Sequence, residues 1–321
     1  MNIFVTAILC ILGFVFLVKG ANWLVEGASS IAKRMHLSEL LIGFTIVAFG
    51  TSMPELVVNI ISNIDGYNDV VFGNIIGSNI FNTFAILGIS GLIYPITVQQ
   101  NTIWKEIPFS FGITLIFFVL VNDIMFFGSE TNETGRIDGF ILILLFSVFM
   151  YYLFRYLRKD FHNSDEGIKE FSNTKSISFI VLGIILLGAG GQLVVYNAVK
   201  IAHYFQVSEK LIGLTAISAG TSLPELATSV IAAFKKRPDI AIGNVIGSNI
   251  FNITLVLGIT SLMHPVAYDS ILNIDINVLL GGTLLLFVFM FTLTVKKLDR
   301  WEAALLSVLF IAYMIYLFIR K

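Results

Sequence analysis

Charge is what this chain has least of. Asp, Glu, Lys and Arg together make up 13% of it, about half the share usual in a soluble domain. A net charge of −1 leaves no basic face to neutralise phosphates, which excludes a nucleic-acid partner. The single cysteine, Cys10, excludes an intrachain disulfide and any cysteine-based metal centre. It reads as a small apolar residue of the first hydrophobic run. His36, His162, His203 and His264 fall in or near loops and do not cluster, so no histidine metal site or proton relay is supported. Ser-His-Asp and glycine-rich phosphate-binding constellations are missing too, so nothing points to an enzyme or to a bound cofactor. The N-terminus lacks a basic n-region and a small-residue cleavage site, and its first apolar run reads as a retained span.

What fills the chain is apolar: 56% hydrophobic residues, 29 of them Phe, and a mean hydropathy of +0.88. About 20 apolar residues cross a bilayer as a helix. The runs predict an all-α polytopic membrane protein of ten spans, near 3–30, 38–63, 70–93, 106–122, 137–157, 176–202, 209–233, 240–264, 275–294 and 301–319. Basic residues gather at Lys33–Arg34, Lys105, the 155–175 segment, Lys235–Arg237 and Lys296–Arg300. Few lie in the alternate segments (Arg136, Lys200, Lys210, Arg320, Lys321), and Lys19 sits within the first span. By the positive-inside rule both termini are then extracytoplasmic. The polar stretch 159–175 is the one linker, cytoplasmic, between a first half (1–158) and a second (176–321).

The two halves repeat. Ser38, Thr51, Gly73 and Pro95 recur as Ser208, Thr221, Gly243 and Pro265, an offset of 170 held without a gap from Gly20–Pro95 to Gly190–Pro265. Five spans separate equivalent positions. An odd number inverts the second half in the membrane, and inverted repeats meeting at broken helices mark transporters.

Two motifs carry the chemistry. Gly50-Thr51-Ser52-Met53-Pro54-Glu55 returns as Gly220-Thr221-Ser222-Leu223-Pro224-Glu225. Each proline lacks an N–H, so the carbonyls of Gly50 and Gly220 are expected to lose their helical partners. Freed backbone groups persist in lipid only where protein, water or a ligand satisfies them. An intramembrane carboxylate is costly and is a functional hypothesis by default. Thr51 and Glu55 share a helix face, as do Thr221 and Glu225. Hard oxygens alone suit Ca²⁺, Na⁺ or Mg²⁺. The second motif, Gly73–Asn82 and its copy Gly243–Asn252, puts Asn74, Ser78 and Asn82, and then Asn244, Ser248 and Asn252, in polar stripes. Asn79 and Asn249, one step off, read as interhelical hydrogen bonders, as do Asn59, Ser62, Thr228 and Ser229. Glu26 and Lys19 read as interfacial, and Glu39 and Glu209 as acidic residues behind the N-caps Ser38 and Ser208.

At these motifs the chain closely resembles the cation/calcium antiporter superfamily, in its prokaryotic sodium/calcium exchanger branch, over most of its length. The alpha-repeats of that family correspond to 43–95 and 213–265. The resemblance implies a diamond of four mid-membrane sites, a central one for Ca²⁺ flanked by sites for Na⁺. It implies that Glu55 and Glu225 coordinate both ions and that Thr51 and Thr221 offer carbonyls to calcium. Ala48, Ser52 and Ser78, with Ser218, Ser222 and Ser248, match sodium positions, and Asn82 and Asn252 line the middle. Two departures stand out: Ser218 where alanine is common, and Asn252 where some relatives have aspartate, which disfavours potassium co-transport. Gly-Thr-Ser-x-Pro-Glu, in place of Gly-Asn-x-x-Glu, favours sodium over protons as counter-ion. The expected function is Na⁺/Ca²⁺ antiport by alternating access, three Na⁺ per Ca²⁺ and electrogenic, by a monomer in the cell membrane. An H⁺-coupled or other divalent-cation antiporter is the alternative. An ion channel would need no counter-ion, and a cation-sensing membrane enzyme would need a nucleophile or output domain.

Overall fold

The structure, a computed structural model, describes residues 3–156, 169–204 and 220–320. Its long helices follow the apolar runs: α1 Ile3–Arg34, α2 Glu39–Thr51 and α3 Met53–Ile64, α4 Asn68–Ile93, α5 Thr102–Leu120, α6 Arg136–Tyr156 and α7 Asn173–Tyr204. After the undescribed stretch come α8 Leu223–Phe234, α9 Pro238–Met263, α10 Asn273–Phe289 and α11 Arg300–Ile319. Among the described residues eight helices are long and apolar enough to cross a membrane, and α2 with α3 makes a ninth if that bent pair is one span. The start of the span expected at 209–233, with Ser208, Glu209, Lys210 and Ser218, lies outside the described residues, as do His162 and most of the 159–175 linker. Where the reading carried a span to 294, α10 ends at Phe289. Beyond it Thr292 Oγ1 donates to Phe289 O at 3.0 Å and to Glu302, and Lys296 adopts φ 64°, turning the chain into α11.

Two pairs of short strands staple the helix ends. β1 (Ile96–Thr97) lies antiparallel to β4 (Lys297–Leu298), and β2 (Glu133–Thr134) to β3 (Val266–Ala267). β1 and β3 are repeat equivalents, so each half holds a strand of the other.

Helix α9 is the axis of the bundle, with every residue from Ile240 to Phe251 buried. Crossing it, α2 comes so near that a Cβ on Gly243 would stand 3.1 Å from the backbone of Gly43. Lipid gives apolar side chains no reason to leave it, so close packing of small residues does the work of association. The long pair α1 and α7 uses the same device. A Cβ on Gly13 would meet Gly190 O at 2.9 Å, and one on Gly20 would meet Gly183 O at 2.8 Å. Those contacts are the same contact with the halves exchanged, since 183 and 190 are the repeat partners of 13 and 20. Outward, Phe140, Leu144 and Val148 on α6 are exposed at one helical spacing, a stripe suited to lipid.

At one end of the bundle a buried charge is answered by its opposite. Asp275 at the start of α10 takes Arg320 Nη2 at 2.9 Å, Arg320 Nη1 at 3.2 Å and Tyr313 Oη at 2.8 Å. Arg320→Ala would strand that carboxylate, and stranding one member of a buried pair costs about 3 kcal/mol. We expect a clearly lower melting temperature for Arg320→Ala, largely restored in Arg320→Ala/Asp275→Asn. An unchanged single variant would show that the pair does not matter.

Candidate cation site

In each motif the serine leaves helical geometry. Ser52 has ψ 4° and Ser222 ψ 7°, well off helical values, and each is followed by a helix with proline in its first turn. Proline fits there because the missing N–H is one a first turn leaves unpaired anyway. The bend between α2 and α3 is 43°. One expectation needs correcting. The Gly220 carbonyl is not freed, because the turn tightens and Leu223 N donates to it at 3.3 Å.

From these turns each serine hydroxyl reaches across to the other half. Ser52 Oγ donates to Glu225 Oε1 at 3.1 Å, and Ser222 Oγ donates to Glu55 Oε1 at 3.2 Å. Ser248 Oγ adds a long bond, 3.5 Å, to the same Glu225 oxygen. Both carboxylates have 0% exposure. Their second oxygens, Glu55 Oε2 and Glu225 Oε2, are buried without a hydrogen-bond partner, as is Ser78 Oγ, the repeat counterpart of Ser248 Oγ.

The asparagines point the same way. Asn82 Nδ2 donates to Asn249 Oδ1 at 3.1 Å and Asn252 Nδ2 to Asn79 Oδ1 at 3.0 Å. Asn79 Nδ2 reaches Asn249 O at 3.1 Å, and Asn249 Nδ2 reaches Thr83 Oγ1 at 2.8 Å. Each amide nitrogen is thereby tied down, while Asn82 Oδ1 and Asn252 Oδ1 remain buried acceptors with nothing donating to them. Buried polar atoms normally find partners. Five orphaned oxygens, among them two matched pairs related by the 170-residue offset, offer lone pairs to a cation and no nitrogen.

The threonines are held differently. Thr51 Oγ1 donates to Asn244 Oδ1 and Thr221 Oγ1 to Asn74 Oδ1, both at 3.0 Å. Asn244 is fixed in turn by Ser229 Oγ at 2.9 Å and Glu225 O at 3.2 Å, and Asn74 by Asn59 Oδ1 at 2.8 Å. The sequence reading placed Asn74 and Asn244 in a polar stripe and left them out of the site. In the fold they orient the threonines of the opposite half, a role visible only once the halves meet. The Ala48 carbonyl already accepts Ser52 N at 3.0 Å and Thr51 Oγ1 at 3.3 Å, and Ala48 itself packs against Gly247.

Around this centre, Ser38 caps α2 by accepting Leu41 N at 3.1 Å. Glu39 behind it pairs with Arg237 at 3.6 Å, and Glu26, read as interfacial, pairs with Lys235 at 2.8 Å. A cavity of about 950 Å³ between α7 and the two breaks reaches Gly50, Pro54, Gly220, Thr221 and Pro224, with Gln192 on its wall.

Comparison with known proteins gives the family. Residues 5–155 and 175–319 match the family described as sodium/calcium exchanger protein. The putative antiporter CaxA of Alkalimonas amylolytica is 38% identical over 98% of this chain and 99% of its own length. The sodium/calcium exchanger MaX1 of Methanosarcina acetivorans is 30% identical over 98% of this chain and 99% of its own. Among solved structures, the sodium-calcium exchanger NCX_Mj, soaked with Na⁺ and Ca²⁺, superposes with a TM-score of 0.82 at 30% identity, covering 96% of this chain and 97% of that one. The chain is a membrane protein of the sodium/calcium exchanger family.

Proposed function

We propose that the chain is a secondary-active antiporter that exchanges Na⁺ for Ca²⁺ at the site between the two Gly-Thr-Ser-x-Pro-Glu motifs. The observation that carries this reading is the pair Glu55 and Glu225, fully buried, each with one oxygen held by a serine of the other half and one oxygen left without a partner. Two carboxylates supply a charge of −2, which one Ca²⁺ neutralises. Several Na⁺ ions replace it by using the neighbouring serine, asparagine and carbonyl oxygens, with Ser218 and Thr221 among the donors the family resemblance implies. Occupancy by one ion type excludes the other, and mutual exclusion at one site is antiport.

The finer reading is three Na⁺ per Ca²⁺, hence net charge movement, which the membrane potential drives by about 2.3 kcal/mol per charge per 100 mV. Ten spans in two inverted five-helix halves, with both termini extracytoplasmic in the cell membrane, agree with the 170-residue offset and with contacts that recur when the halves are exchanged. Such an arrangement makes inward-open and outward-open states by swapping the conformations of the halves. A monomer contains the whole set of oxygens.

The test is radiolabelled calcium uptake into proteoliposomes loaded with Na⁺, against Na⁺-free vesicles and vesicles bearing only a pH gradient. Uptake that requires the outward Na⁺ gradient is expected. Uptake driven by the pH gradient alone would transfer the protein to proton coupling, and no calcium movement under either gradient would sink the substrate assignment.

A further inference from the structure

The two ends of the bundle differ in how the long helices meet the core. At one end α1 lies on α8. Leu24, Val25 and Ala28 are buried there in one apolar cluster with Ala232. Lys235, just past α8, donates to Glu26 Oε1 at 2.8 Å and to Asn22 O at 3.4 Å. The other end is marked by Asn63 near the close of α3, which donates to Thr260 O near the close of α9 at 2.7 Å. Here α7 stands off α3, and the 950 Å³ cavity separates Val57 and Val58 of α3 from Gln192, Tyr196 and Val199 of α7. Tyr196 is 61% exposed.

The same turn finishes α3 and α8. The 170-residue offset carries Lys235 to Asp65, Glu26 to Tyr196 and Asn22 to Gln192. Asp65 and Lys235 have φ and ψ of −81°, −2° and −80°, 2°. Asp65 N donates to Ile61 O and Lys235 N to Ile231 O, both at 2.9 Å. The next residues, Gly66 and Lys236, both have positive φ, 78° and 56°. What differs is charge. At the closed end the core helix brings the cation and the long helix the acid. At the open end the core helix brings the acid, Asp65, and α7 carries the cation. That cation is Lys200, one turn past Tyr196, with its Nζ 3.9 Å from the centre of the Tyr196 ring. Gln192, Tyr196 and Lys200 are spaced four apart and share a face of α7. Asp65 is exposed and in no ion pair among the described residues.

We infer that Asp65 on α3 forms a second latch with Tyr196 and Lys200 on α7, which shuts the cavity when the long pair slides, as Lys235 with Glu26 shuts the opposite end in this structure. The Tyr196 hydroxyl and the Lys200 ammonium both donate to the Asp65 carboxylate in that state. Reversing the signs on both partners keeps the second pair attractive. Because α1 and α7 move as one packed unit, one latch breaks as the other forms, and loss of either favours the state held by its counterpart. The inference rests on the alternating-access part of the proposed function and on no assignment of the ions.

Electron–electron distance measurements test it on the full-length protein in lipid nanodiscs, with Cys10 replaced by serine and spin labels at 64 and 204, beside the second latch. Spectra taken with Na⁺, with Ca²⁺ and without either should contain a short-distance component. Lys235→Ala should raise its population roughly two- to five-fold, and Asp65→Asn or Lys200→Gln should lower it by a similar factor, as the loss of a partly exposed ion pair allows. The exchanged pair Asp65→Lys/Lys200→Asp should bring it back, which a purely structural role for either residue would not do. As a second route, cysteines at 65 and 200 should be joined by a short bifunctional maleimide, faster in Lys235→Ala. A single long distance in every buffer, unmoved by Lys235→Ala, would overturn the latch, and so would a short component indifferent to Asp65→Asn and Lys200→Gln. Neither readout depends on transport. Either negative result in a protein that shows Na⁺-dependent calcium uptake would reject the latch alone. The expected distances in a protein that moves no calcium would keep the latch and reject the exchange reading.

Discussion

Glu225→Gln is expected to lower calcium affinity and Na⁺-dependent calcium uptake by roughly 100-fold or more, and Glu55→Gln by a similar factor. A unit charge 4 Å from another is worth about 4 kcal/mol at an effective dielectric near 20, and a divalent ion doubles it. Losing even a third of that through relaxation and added water leaves far more than the roughly 3 kcal/mol that a 100-fold change requires. Glutamine retains the shape of the side chain and an oxygen for the serine across the interface, so the fold should survive. In the ion-free protein the variants should melt no lower than wild type, because each removes one of two buried like charges that are met by serine hydroxyls and by no cation among the described residues. Calcium should raise the wild-type melting temperature, since a ligand at 100 times its dissociation constant adds about 2.7 kcal/mol, and raise that of either variant far less. Transport assays on sealed vesicles with parallel thermal melts check both halves of this prediction. Robust uptake by both variants would remove the glutamates from the centre of the mechanism.

The second large effect concerns movement. Helices α1 and α7 pack on each other through glycine and contribute neither glutamate of the site. The proposed access step is a slide of this pair over the core built from α2, α3, α4, α8 and α9. Lys235, just past the end of α8, clasps α1 by its Nζ, 2.8 Å from Glu26 Oε1 and 3.4 Å from Asn22 O. With Cys10 replaced by serine, cysteines at 26 and 235 joined by a reducible cross-linker should stop uptake completely, and reduction should restore it. A matched control joins 33 to 170, where Lys33 and Glu170 lie 3.3 Å apart. Residue 170 leads directly into α7, whose start is bound to α1 through Ser30, by Phe171 N and Ser176 Oγ, each at 2.9 Å. That link lies within the moving pair, so transport should continue. Equal loss with both links, or undiminished flux with the first, would reject the slide.

The serine–glutamate crossings show how the halves depend on each other. Ser52 is of no use to Glu55, its neighbour in sequence, and serves Glu225 instead. The amide nitrogens of Asn82 and Asn252 are taken by Asn249 and Asn79, so that only their oxygens remain available. Every one of these bonds spans more than 160 residues.

Length and periodicity of the apolar runs determined the helices, because lipid leaves the backbone no partner other than itself. Repetition of the two motifs at a fixed offset determined the glutamates, because a buried carboxylate without a function is too expensive to appear twice. Glu55 and Glu225 stood out on those grounds, whereas Ser52, Ser222, Ser78, Ser248, Asn82 and Asn252 were expected as oxygen donors from the family resemblance. Other features were not. Whether the Gly220 carbonyl stays free depends on a local tightening of the turn, and spacing carries no sign of it. That Asn74 and Asn244 steady threonines of the opposite half depends on how α4 and α9 meet across the middle of the molecule. Glu106 and Asp275 look alike in the sequence, each an acid near the start of an apolar run. Only the packing of α10 on α11 gives Asp275 its guanidinium, while Glu106 takes the Tyr152 hydroxyl from α6 and has the exposed Lys105 beside it on α5. Sequence specified which groups enter the membrane, since that is a matter of transfer free energy residue by residue. Tertiary structure decided which of them are answered there, since hydrogen bonds and ion pairs act over about 3 Å and are formed by groups far apart in the chain.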